Sequence, residues 1–123
     1  MKNFIDYLGI EFIEISFEKS INKLYLKDEF YNLRGAIQGG VIFTLADSSS
    51  GYAANKKSKA VTLSSNINYI NAGLKSKKIE YITSTASLIK AGKKTAVYDV
   101  EVKTSEGEIL AKSIFTYYFL DKK

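Results

Sequence analysis

The sequence predicts an α+β fold in which one long helix is set into a curved antiparallel sheet, with a short helix at the N-terminus. Three observations predict it. The segment from Gln38 to Asn55 does not alternate, and its Val41, Ile42, Leu45, Ser49 and Tyr52 share one stripe at the i, i+3, i+4, i+7 spacing of a helix. The second half of the chain repeats β-branched and aromatic residues with a period near two, in four successive stretches. No low-complexity linker, internal repeat or charge block divides residues 1–123, so they are read as one domain.

Taken in order, Asn3 is a good N-cap and Gly9 a good C-terminal stop, which predicts a short helix between them. From Ile10 to Lys27, Phe12, Ile15 and Phe17 and then Ile21, Leu24 and Leu26 sit among polar residues, as in two strands turning near Lys19 and Ser20. The long helix follows. From Ala46 onward its residues are small, which lets its axis approach a sheet or a second helix closely. The four alternating stretches are Val61 to Ile70, with Leu63, Ser65, Ile67 and Tyr69 on one face, then Lys78 to Ile89, Thr95 to Lys103, and Ile109 to Phe119. Ala91 to Lys94 and Ser105 to Glu108 read as hairpin turns between the last three, giving a long antiparallel meander.

Composition narrows the chemistry. With no His and no Cys, the chain has no Ser-His-Asp or Cys-His pair and no imidazole or thiolate metal site. A hydrophobic fraction of 46% with 25% charged residues is that of a globular fold. No run approaches the roughly 20 apolar residues of a membrane span, and the first residues do not form a signal peptide, so the expected location is the cytoplasm. The net charge of +5 is almost all lysine, since Arg34 is the sole arginine. Lysine without arginine forks fits a general field that attracts anions, or simple solubility, better than base reading.

Two features carry candidate chemistry. Asp47 stands inside the helix, off the core stripe, on a face of small and apolar neighbours that includes Phe43, Ser50 and Ala54. A carboxylate so placed is a candidate for a raised pKa and for general-base or nucleophile duty; it could equally bond a nearby hydroxyl such as Ser50 or meet water. The second feature is Gln38-Gly39-Gly40 at the helix start, where paired glycines leave backbone N–H groups uncovered at the positive end of the helix dipole. It is not a phosphate loop, because no Gly-Lys-Ser/Thr follows. Glycines also occur at helix starts for steric reasons alone. Gly39 and Asp47 are eight positions apart, or about 12 Å along one helix. If both act on one carbonyl, the carboxylate and the N–H must come from two subunits, which requires a homodimer.

The run Asn32-Leu33-Arg34-Gly35-Ala36-Ile37-Gln38-Gly39-Gly40-Val41-Ile42-Phe43-Thr44-Leu45-Ala46-Asp47 resembles the signature of the hotdog-fold acyl-CoA thioesterases of the PaaI-like, phenylacetate-degradation type. The resemblance implies a helix wrapped by an antiparallel sheet, working as a homodimer that often pairs into a homotetramer. It implies that Asp47 is the catalytic carboxylate, as general base or nucleophile, and that Gly39 of the other subunit offers its N–H to the thioester oxygen. It further implies that Asn32 helps orient water or substrate, and that the Thr62 hydroxyl lies close to the nucleophilic water, although Thr62 alone reads as an ordinary strand threonine. Gln38 departs from the histidine found in many members. Its amide can donate to the thioester but cannot relay a proton, which a thiolate leaving group hardly requires. Gly40 and Phe43 are candidate substrate contacts, with Tyr52 and Tyr69 as candidates either for the acyl pocket or for the core. Lys90 and Lys93, with Lys56, Lys57 and Lys94, are candidates for the phosphates of coenzyme A. No metal or cofactor is implied beyond the coenzyme A of the substrate.

Other hotdog reactions, such as hydration and dehydration, are expected to need a histidine that this chain lacks. Two further readings stand beside hydrolysis. One is a non-catalytic acyl-CoA sensor or carrier, against which the retained Asp47 argues. The other is a β-rich nucleic-acid binder suggested by Phe115, Tyr117, Tyr118 and Phe119; these run consecutively along one strand, point to both faces and read as packing, so no nucleic-acid partner is expected.

Overall fold

The structure is a computed structural model and describes residues 2–120. Its elements run α1 (Phe4–Leu8), β1 (Glu11–Ile15), β2 (Lys19–Tyr25), α2 (Gly39–Ala54), β3 (Ala60–Tyr69), β4 (Tyr81–Ala91), β5 (Thr95–Thr104) and β6 (Ile109–Phe119), with single 3-10 turns at Asp28–Phe30 and Lys75–Lys77. The six strands form one antiparallel sheet in the order β1-β2-β4-β5-β6-β3, and α2 packs against all six. Helix α1 starts with the capping box of Asn3 and Asp6 and stops at Gly9, which takes the left-handed conformation. No helix among the described residues is long and apolar enough to cross a membrane.

The predicted α+β architecture is what the chain adopts, with four corrections. The stretch beginning at Val61 is not the first strand of a meander: β3 lies at the far edge beside β6, and only β4-β5-β6 run as consecutive neighbours. After β3 the chain crosses from that edge to set β4 beside β2. The first hairpin turns at Ser16 to Lys19, earlier than Lys19-Ser20, because the Ser16 hydroxyl closes it by donating to the Lys19 carbonyl at 2.9 Å and accepting from the Lys19 N–H at 3.1 Å. Strand β4 starts at Tyr81 and not at Lys78, which sits in the left-handed region at φ 54° and ends a 3-10 turn.

The fourth correction concerns α2. Ile42, Leu45 and Ser49 are buried as the stripe predicts, but Tyr52 remains 39% exposed and stacks on Phe12 of β1 with ring centroids 4.2 Å apart. Ala46, Ser48, Ser50, Ala53 and Ala54 are buried as well. The sheet curves around the helix, so more of the helix circumference is covered than a single apolar stripe implies. Small side chains make that possible by letting β6 and β4 come close. Between α2 and the sheet lies a polar seam: the Asn22 side-chain amide donates to the Leu45 carbonyl at 3.2 Å and to Ser48 Oγ at 2.9 Å, and the Ser49 and Ser84 hydroxyls share a bond of 2.7 Å.

Candidate functional site

The N-terminus of α2 is set by the loop before it. Asn32 closes a tight turn: its Oδ1 accepts from the N–H groups of Arg34 and Ala36 at 2.9 and 3.2 Å, and Gly35 completes the turn at φ 78°. The Ile37 N–H donates to the Gly73 carbonyl at 2.9 Å and the Gln38 N–H to the Phe30 carbonyl at 2.8 Å, which anchors the loop at two points. Gln38 is the N-cap and exposed, without a capping bond from its side chain. Intrahelical bonding begins with Val41 and Ile42, which donate to the Gln38 carbonyl, so the N–H groups of Gly39 and Gly40 point out of the helix end. The Tyr69 hydroxyl donates to the Gly39 carbonyl at 2.9 Å, and its ring lies where a Gly39 Cβ would come within 3.3 Å. This end of α2 opens on a small pocket of about 330 Å³ shared with Tyr69, Ile70 and Asn71.

Two turns further along α2, Asp47 lines a larger pocket of about 780 Å³. Ile5, Ile15, Tyr52 and Val61 give it apolar walls, and Lys56 is its one lining cation among the described residues. Asp47 is half-buried, and the loss of solvent pushes its carboxyl above the ordinary carboxylate range. The hydroxyls of Tyr117 and Thr62 favour the charged form and reduce that rise without cancelling it. Thr62 reaches this position through a β-bulge. In the β3–β6 ladder Thr62 pairs with Tyr117 and Ser64 with Thr116, leaving Leu63 as the extra residue. Ser65 and Ile67 pair with the buried Phe115 and Ser113 and so share the helix-facing side. Strict alternation would turn Thr62 to the opposite side from Ser65; the bulge brings both onto the face beside α2.

The structure therefore brings Asp47 and Thr62 together and leaves Gly39, Gly40, Asn32 and Gln38 at the other end of the helix. Phe43 is half-buried against Phe115, with centroids 5.4 Å apart. Lys90 and Lys93 are exposed at the β4–β5 hairpin and line neither pocket, and Lys57 lies over the rings of Phe17 and Phe119. The residue that sequence reading gave only a packing role is Tyr117. Its hydroxyl shares a bond of 2.7 Å with Ser50 Oγ and donates to the Asp47 carbonyl at 3.2 Å. The consecutive aromatics of β6 hid it, because nothing in that run distinguishes Tyr117 from Phe115 or Phe119.

The sequence profile of the thioesterase superfamily matches residues 34–111, a stretch that includes both ends of α2 and the whole of β3. A protein from Archaeoglobus fulgidus, provisionally named an esterase, is 32% identical over 78% of this chain, which spans only 61% of that relative's length. The acyl-coenzyme A thioesterase PaaI of Escherichia coli K12 is 28% identical over 85% of this chain and 73% of its own. The crystal structure of a hypothetical thioesterase with coenzyme A from Streptococcus pneumoniae TIGR4 superposes with a TM-score of 0.83 at 26% identity, covering 94% of this chain and 88% of that one.

Proposed function

Since the chain belongs to the thioesterase superfamily, in its PaaI-like hotdog branch, we propose that it hydrolyses the thioester of an acyl-coenzyme A to a carboxylic acid and free coenzyme A. The observation that carries this reading is the half-buried Asp47, with the Thr62 hydroxyl beside it, facing an apolar-walled pocket. In this reading the Asp47 carboxylate takes a proton from a water that attacks the thioester carbonyl, and Thr62 gives that water or the carboxylate a second polar partner. The carbonyl oxygen, as it becomes an oxyanion, is met by the Gly39 N–H at the start of α2, with Gly40 beside it. The coenzyme A thiolate then leaves. With an ordinary thiol pKa near 8.5 it needs little protonation, so the exposed Gln38 suffices where a histidine would be needed for a poorer leaving group.

The acting unit in this proposal is a homodimer. Asp47 and Gly39 open on separate pockets of one chain, about 12 Å apart along an unbroken helix, so each site joins Asp47 of one subunit to Gly39 of the other. Strand β3 supports the pairing: it is an edge strand, and Val61, Leu63 and Tyr69 on it are about half exposed, at 47%, 60% and 50%. A long exposed edge with apolar side chains is a surface that natural proteins cover. The test is thiol release across a panel of acyl-coenzyme A substrates, for the wild type and Asp47→Asn together. The variant is expected to stay folded and to lose about 10²–10⁴-fold in kcat, the contribution of a positioned general base. Unchanged turnover in Asp47→Asn overturns the reading, and tight acyl-coenzyme A binding without thiol release by the wild type favours a carrier instead.

A further inference from the structure

The geometry points to Gly51 as the residue that sets the size of the acyl group: its lack of a side chain keeps open the space beside Asp47, where an apolar acyl group longer than acetyl lies along α2. This rests on the reading of Asp47 as the base and of its pocket as the acyl site. Two rows of α2 line that pocket, Asp47-Gly51-Asn55 and Ser48-Tyr52-Lys56, each at the i, i+4, i+8 spacing that stacks residues on one side of a helix. Gly51 is the gap in the first row, about 6 Å along the axis from Asp47. Asn55 closes the far end as a fixed wall: its amide donates to the Gly51 and Ala60 carbonyls at 2.8 and 3.3 Å, and its oxygen accepts from the Ala60 N–H at 3.0 Å. An acetyl group held at Asp47 ends short of Gly51, whereas a longer acyl group must pass over it.

The fold gives Gly51 no other reason. Inside a helix glycine is less stable than alanine, since its backbone loses more freedom on folding. Gly51 lies within α2 and does not take the left-handed backbone seen at Gly9, Gly35 and Gly107. Close packing does not require it either. A Cβ at Gly73 would meet Ile37 at 2.6 Å, but a Cβ at Gly51 would meet only the hydroxyl and ring edge of Tyr117, at 3.6 to 4.0 Å, which is ordinary contact. Alanine therefore fits, and its methyl group would stand beside Tyr117, which also lines the pocket. The chain gives up helix stability here, and what it gains is pocket space one turn from the base.

The experiment measures thiol release by the wild type and Gly51→Ala with acetyl-, hexanoyl- and benzoyl-coenzyme A, together with melting temperature and native mass. Gly51→Ala is expected to melt about 2–6 °C higher, as a glycine-to-alanine change in a helix does in a chain of this size. Its kcat/KM for the hexanoyl and benzoyl substrates is expected to fall about 10–200-fold relative to acetyl, the effect of one methyl-sized group in an apolar pocket. An unchanged ratio overturns the proposal. So does an equal loss on all three substrates, because the methyl group would then meet what they share or disturb Asp47. A lower melting temperature, or a dimer of the wild type that Gly51→Ala dissociates, also overturns it, since the fold or the second subunit would then need the space. Unchanged turnover in Asp47→Asn overturns the base instead. Calorimetric binding of the same substrates to Asp47→Asn, with and without Gly51→Ala, reads the acyl preference without catalysis and so tells the two failures apart.

Discussion

Asp47 is a carboxylate whose burial raises its pKa in the folded state above the value it has in the unfolded chain. Between those two values the folded state binds more protons, so unfolding free energy falls as pH rises through that window. Above it the ionised carboxylate is a standing cost to the fold. Asp47→Asn is therefore expected to melt at or above the wild-type temperature at pH 7, with the difference vanishing below the ordinary carboxylate range. Calorimetric melting temperatures across pH check this, and a variant that melts lower at pH 7 but not in acid contradicts the sign. In the proposed mechanism activity is expected to run the other way, since a general base must be ionised, with kcat/KM falling as pH drops through the raised pKa. At this scale sequence made Asp47 legible, because a lone acid among small neighbours on a helix face is a visible exception. Tyr117 and the buried Asn22 were not legible, since a Tyr among aromatics and an Asn within a strand take their meaning from what crosses above them.

Helix α2 was the most legible element, because its period contrasts with everything around it and its paired glycines mark the start. The start also allows a sharp test. The first helical position tolerates proline, and Gln38 at φ −59° and ψ 132° already has the backbone that precedes one. Gly39→Pro deletes the N–H with the helix retained, although the Tyr69 ring must shift by a few tenths of an ångström. Turnover is expected to fall about 10²–10³-fold, the effect of losing one oxyanion donor, with circular dichroism unchanged. The loop in front of α2 depends on Gly73, where a Cβ would meet Ile37 Cδ1 at 2.6 Å. Gly73→Ala is expected to destabilise by about 1–3 kcal/mol through overpacking, measurable by urea denaturation. Strand β3 was legible as a strand but not in its place or its facing. Its position at the far edge depends on a crossover, and the facing of Thr62 on a bulge that alternation cannot announce.

For the whole molecule, the order of elements was readable and the closure of the sheet around the helix was not, because small residues on α2 reveal close approach without saying to what. The separation of Gly39 from Asp47 makes the subunit count testable by mixing. In the proposed dimer, chains carrying Asp47→Asn and chains carrying Gly39→Pro are each expected to keep only residual activity, yet a mixed dimer would have one site with a native carboxylate and a native N–H. After random subunit exchange, activity is expected to return to about a quarter of the wild-type level. No recovery, in mixtures shown by native mass spectrometry to contain mixed dimers, excludes the shared site.

The bulge at Leu63 bears on chain length. Strand β3 carries one residue more there than its ladder with β6 uses, and the pairs on either side, Thr62 with Tyr117 and Ser64 with Thr116, join without a gap once it is removed. Loss of Leu63 would leave Thr62 facing the helix, whereas loss of a residue farther along the ladder, away from the bulge, would reverse every side chain on one side of the cut. Leu63 is thus the place in β3 where homologous chains can differ by one residue in length while keeping the same pocket.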